Sequence, residues 1–209
     1  MLYYYCQEGW ETLKDHPIRR AGDLKPVQVV VAHLKTPFFN HMKTISFKET
    51  VKNQLIESAK KYNSLIGKRV VLVSNDFVMK KEYVIRFYET NFLHLTGVRT
   101  NLSTIDFYNK CFKGKLSFDD FDCDSNGQLK GLVRLKMRNL INIDSFFIQE
   151  IEVQEDFEKG SIKCLLGASD NKCTIGFVDA KYCVRPKTIL DKNHLDRNKP
   201  IHIVMPIIE

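Results

Sequence analysis

Five short apolar or alternating runs crowd the last third of the chain: FFIQEIEVQ, SIKCLLGAS, CTIGFVDA, YCVRPKTIL and IHIVMPII. Turn signals (EKG, SDNK and DAK) separate the first four. A strand that returns as a parallel neighbour needs a crossover of a dozen residues or more, so links this tight make antiparallel pairs. This end of the chain therefore folds as a meander. Its start has a different period. MKTISFKETVKNQLIESAKKYNSLIGK holds Phe47, Val51, Leu55, Ala59, Tyr62 and Ile66 at steps of three and four, the stripe of a half-buried helix. Ser46 and Glu49 form a capping box before it, and Gly67 stands where the helix should stop.

Between these ends, KRVVLVS and EYVIRFYE read as a β-hairpin across NDFVMKK. NFLHLTG follows as a turn or short helix, and Ser103 caps a helix through TIDFYNKCFKG that Gly114 ends. LSFDDFD reads as a helical turn, and a second long helix covers Gly127 to Ile141. The fold class is α+β: an N-terminal helix and hairpin, central helices, then an antiparallel meander sheet. Residues 1–45 carry three of the six prolines and the single tryptophan, with no periodic helix. They read as an N-terminal extension to a domain over residues 46–209, with a natural beginning at Met42.

Several function classes lack their signatures. There is no Walker loop, GxGxxG, HExxH or GxSxG, so no cofactor is expected. No apolar run approaches the roughly 20 residues that span a bilayer, and the N-terminus lacks the pattern of a signal peptide, so a cytoplasmic address is expected. The six cysteines form no CxxC pair and read as free, mostly buried thiols. FDDFDCDSNG lacks the full spacing and closing glutamate of a calcium loop and reads as a solvated acidic turn. No metal site is expected. The formal charge of +7 suits a polyanionic partner.

Three features could carry chemistry. His94 and Thr96 interrupt the apolar Phe92, Leu93 and Leu95. A histidine there is either a buried group bonded to backbone or an imidazole presented to a cleft. Lys130, Arg134 and Arg138 recur every four residues on the second long helix, with no acid between Gly127 and Asn142. That stripe is either a solvated face or a row of phosphate contacts. Lys181, Arg185, Lys187, Tyr182 and Thr188 crowd DAKYCVRPKTIL, a strand and its exit. Cleaving RNA without a metal needs a base for the 2′-hydroxyl, an acid for the leaving oxygen and cations for the phosphate charge, and these residue types can supply them.

SAKKYNSLIGKRVVLV, FYETNFLHLTGV, IDFYNKCFKGKLSFDDF and TIGFVDAKYCVRPKTIL, in this order, resemble the phage-type Barnase–EndoU–colicin–RelE-like nucleases, specifically their fourth group. The resemblance covers about residues 46–209, and NFLHLTG is its most specific piece. It implies a RelE/barnase-like fold and a small metal-independent ribonuclease of phages and mobile elements. It assigns His94 and Thr96 to the motif, and Lys181, Arg185 and Thr188 to the polar positions of the last strands. The partners expected are RNA and a cognate inhibitor protein, with no membrane. The rival reading is a non-catalytic module that grips nucleic acid or protein. A His94–cation cluster in one cleft favours the enzyme; scattered side chains beside a groove lined by the basic helix favour the module.

Overall fold

The computed structural model describes residues 45–209. The expected extension, and a beginning at Met42, rest on residues outside that range. Helix α1 (Phe47–Asn63) starts where expected: the Ser46 hydroxyl accepts the Glu49 amide at 3.1 Å, one half of the expected capping box. Val51, Leu55, Ala59 and Tyr62 are buried along one face. The helix stops earlier than the glycine signal suggested. Ile66 leaves it to bridge Phe87, and Gly67, at φ 83°, turns the chain into β1.

Strands β1 (Arg69–Val73) and β2 (Glu82–Arg86) form the expected antiparallel hairpin. Helix α2 (Glu89–Thr96) follows at once. Helices α3 (Thr104–Phe112) and α4 (Gly127–Leu140) are capped by Ser103, which takes the Asp106 amide at 3.1 Å, and by Asn126, which takes the Leu129 amide at 2.8 Å. A 3-10 turn over Phe118–Asp120 lies between them. The helices and sheet enclose one core, in which the Tyr62 ring meets Phe87 and Phe92 edge-on at centroid distances of 5.5 and 5.3 Å. Such pairs add about 0.5–1.5 kcal/mol each beyond the area they bury.

The meander forms as the tight links demand: β3 (Ile151–Lys159), β4 (Ile162–Ser169), β5 (Cys173–Ala180) and β6 (Cys183–Asp191) pair antiparallel in order. Two features go beyond that reading. Strand β6 also pairs parallel with β2, Ile85 opposite Val184, so hairpin and meander share one sheet. IHIVMPII is two strands rather than one: β7 (His202–Val204) pairs with β3, and β8 (Ile207–Ile208) with β1, on opposite edges of the order β7-β3-β4-β5-β6-β2-β1-β8. Only Met205 and Pro206 join them, and three residue steps reach about 10 Å at most. The eight-stranded sheet must therefore curl until its edges meet.

Glu155 on β3 ties that closure. Its carboxylate accepts the amides of Val78 at 2.7 Å and Met79 at 2.9 Å, in the loop between β1 and β2, and the Tyr83 hydroxyl. Burial works against its charge, yet these donors hold the carboxyl below the ordinary range. Among the described residues no helix is long and apolar enough to cross a membrane.

Candidate active site

The helix phase of α2 settles where the motif histidine points. Asn91, Phe92, Leu95 and Thr96 are buried, at the three- and four-residue spacing of an inner face. His94 lies off that face and is exposed. Gly97 ends the helix at φ 77°, the left-handed conformation that glycine adopts without a Cβ penalty.

His94 lines a cleft of about 540 Å³ with Thr90, Asn91 and Thr104 on one side and Arg185 and Lys187 on the other. The two cations come from β6, where pairing with β5 slips: Gly176 faces Thr188, but Phe177 faces Pro186. Proline has no amide for the ladder, and the bulge leaves Lys187 unpaired with β5. Among the described residues no carboxylate lines this cleft. The Arg185 Nε and the Asn91 Oδ1 are buried without a hydrogen-bond partner among the described residues. Unsatisfied buried polar atoms are rare enough to call for an explanation, and a ligand is one.

The other expected residues are placed as follows. Lys181 is exposed, at φ 47°, and lines an adjoining concavity with Arg185, its ammonium 5.0 Å from the centre of the Tyr182 ring. Thr96 is not in the cleft: fully buried, it donates to the Leu93 carbonyl at 2.8 Å and accepts the Val98 amide at 3.3 Å, fastening the end of α2. Thr188 is buried behind the cleft and accepts from Lys136 Nζ at 3.2 Å. The α4 stripe lies apart from the cleft lining. Lys130 and Arg134 sit over the Phe47 ring at 5.0 and 5.5 Å, and Arg138 reaches Asp191 at 3.9 Å.

Lys136 supports the site beyond the residues expected from the sequence. It is buried, and its ammonium also donates to the His94 carbonyl at 3.0 Å. It thus ties the end of α2 to β6. Burial pulls its pKa from 10.5 to about 8. A signal existed: with Leu129, Val133 and Leu140 it falls at the three- and four-residue steps of the buried face.

The acidic turn uses its oxygens locally. Asp120 accepts Lys110 Nζ at 2.6 Å and the Ser117 amide at 2.7 Å, contacts that hold its carboxyl down at about 2. Asp122 accepts the amides of Asp124 and Ser125. Among the described residues no group of three or more His, Cys, Asp or Glu side chains could hold a metal ion. The five described cysteines are free, four of them buried.

Residues 54–209 match the family model described as phage-Barnase-EndoU-ColicinE5/D-RelE like nuclease4. The chain belongs to that family. The match runs from within α1 to the last residue, so α2, β6 and the cleft between them lie inside the nuclease family's domain. No curated protein and no solved structure matches the chain. The family supports a nuclease, and its domain is the α+β unit described above.

Proposed function

We propose that the protein is a metal-independent endoribonuclease of barnase/RelE-like architecture that cleaves RNA through its own 2′-hydroxyl. One observation carries the reading: an exposed imidazole and two basic side chains line a single cleft, with no carboxylate among its described lining residues, inside a nuclease-family domain. His94 takes the proton of the 2′-hydroxyl. The 2′-oxygen bonds to phosphorus as the bond from phosphorus to the 5′-oxygen breaks, leaving a 2′,3′-cyclic phosphate and a 5′-hydroxyl. Solvent at the open mouth returns a proton to the 5′-oxygen. Arg185 and Lys187 stabilise the charge that gathers on the phosphoryl oxygens, the largest contribution a preformed site makes. Lys181 adds a cation at the cleft's edge. Thr96, Thr188 and Lys136 act from behind, holding α2 and β6 in register.

The separated α4 stripe weighs against a purely electrostatic grip along that helix. The test is cleavage of total RNA by the purified protein in excess EDTA, beside His94→Ala. The variant should lose about 10²–10⁴-fold, the usual worth of a general acid or base. Its melting temperature should hold, because an exposed side chain leaves no cavity. A substrate with a 2′-deoxy sugar at the scissile position should survive intact. Full activity per folded His94→Ala molecule, or cleavage of the deoxy substrate, overturns the proposal.

A further inference from the structure

The cleft does not end at Arg185. That residue and Thr90 also line a second concavity of about 480 Å³, which Tyr88, Lys181 and Cys183 complete. Tyr88 and Cys183 in turn line a third, of about 380 Å³, with Arg69, Arg86 and Tyr182. Shared walls set the three side by side, as a row of concavities from His94 across β6 to the exposed ends of β1 and β2.

Its chemistry is uniform along that course. Lys187, Arg185, Lys181, Arg86 and Arg69 line it in turn, against one carboxylate among the described residues, that of Glu89. Arg69 is paired with Glu209 at 2.9 Å. Two tyrosines alternate with the cations. Tyr182 is 81% exposed, at the turn between β5 and β6. Tyr88 is 37% exposed, its hydroxyl 4.0 Å from Cys183 Sγ. Burial and that thiol raise its phenol above the ordinary range, while Arg86 and Arg185 pull the other way.

The geometry points to a binding track for unpaired RNA that continues from the cleavage cleft: bases stack on Tyr88 and Tyr182 while Lys181, Arg185 and Arg86 meet the phosphates between them. Cations that follow a backbone, interleaved with open aromatic rings, suit single strands, because a duplex keeps its base faces stacked inside. The inference rests on the ribonuclease reading for its location, but binding can be measured without cleavage.

The experiment uses the full chain and a fluorescent, uncleavable 2′-O-methyl RNA of nine nucleotides, read by anisotropy. Tyr182→Ala and Lys181→Ala are the variants, both exposed and unable to disturb the core. Loss of one stacking partner should weaken binding about 5- to 100-fold. Loss of the lysine should reduce the slope of log affinity against log salt by about 0.7. A trinucleotide should bind more weakly than the nonamer, and a duplex of the same length should compete poorly. Wild-type affinity in Tyr182→Ala, equal binding of duplex and single strand, or no binding of the oligonucleotide at all would overturn the track. Tight, tyrosine-dependent binding without any cleavage of total RNA would instead keep the track and sink the ribonuclease.

Discussion

Lys136 is a buried ammonium whose hydrogen-bond partners, the His94 carbonyl and the Thr188 hydroxyl, are both uncharged. Burial moves its pKa from 10.5 to about 8. At 1.36 kcal/mol for each tenfold change in proton affinity, the protonated lysine costs the folded state about 3 kcal/mol relative to the neutral amine. Below pH 8 both folded and unfolded chains bind the proton, so the cost is present in full. Between pH 8 and 10.5 the unfolded chain keeps the proton and the folded chain releases it, so this group makes stability rise with pH. Above pH 10.5 the cost has gone.

Lys136→Met keeps most of the volume and removes the charge. Its stability relative to wild type should therefore be greatest near pH 7 and fall by about 3 kcal/mol as pH climbs past 10. At pH 7 the variant should match or exceed wild type, as buried charges replaced by apolar groups often do. Buried thiols act in the opposite direction. Burial raises Cys111 to about 12 and Cys123 to about 11, so the stability they lend is full below the unfolded thiol range and is lost as pH rises through these values. Both proteins carry them, and they cancel in the difference. Urea unfolding of the pair at pH 7, 8, 9 and 10 gives the curve. A difference that stays flat across that range refutes the reasoning.

Gly97→Ala places a side chain at φ 77°, with its Cβ 2.8 Å from Lys136 Cδ. It should cost about 1–2 kcal/mol for the left-handed backbone alone and lower the melting temperature accordingly. Glu155→Gln should destabilise the protein by about 1–3 kcal/mol at pH 7, because a charged acceptor of three donors is lost. Glu155 has a depressed folded pKa, so its stability is present above the unfolded value near 4.3 and lost as pH falls through the folded one. The gap between variant and wild type should close in acid-unfolding curves over that window. A chain shortened to begin at Met42 should unfold cooperatively with a melting temperature near that of the full chain, since α1 begins only at Phe47.

Local signals in the sequence carried far. Ser46, Ser103 and Gly114 mark helix ends because each satisfies or frees backbone groups within a few residues, and the tight links between β3 and β6 leave only one way to pair. The orientation of His94 was legible too, once α2 is taken as a helix: Phe92, Leu95 and Thr96 share its inner face. The same periodicity excludes Thr96 from the cleft, although its hydroxyl drew the eye. On β6 the alternation of two does the same service. Val184, Pro186 and Thr188 are buried, whereas Arg185 is half-buried and Lys187 exposed. Thr188 therefore sits behind the cations rather than beside them. What no local signal gave was the parallel pairing of β2 with β6. Its partners stand about a hundred residues apart, and nothing in either strand names the other.

That pairing is what makes the site. Strand β2 ends where α2 begins, so a parallel neighbour carries its own chain onward in the same direction, under the helix. The His94 imidazole is thereby set over Arg185 and Lys187 rather than over a strand running away from them. Helix α2 has eight residues, too few to persist alone in water, so its shape depends on what it packs against. Lys136 then fixes the last degree of freedom by bonding the His94 carbonyl and Thr188 at once. The ammonium is expensive to bury, and an apolar residue would avoid that cost but leave the His94 carbonyl and the Thr188 hydroxyl without this donor. A buried charge in that position exchanges stability for a fixed distance between two elements that meet only through the fold. The seam between the hairpin half and the meander half is thus where the structure is least local and where the candidate site lies.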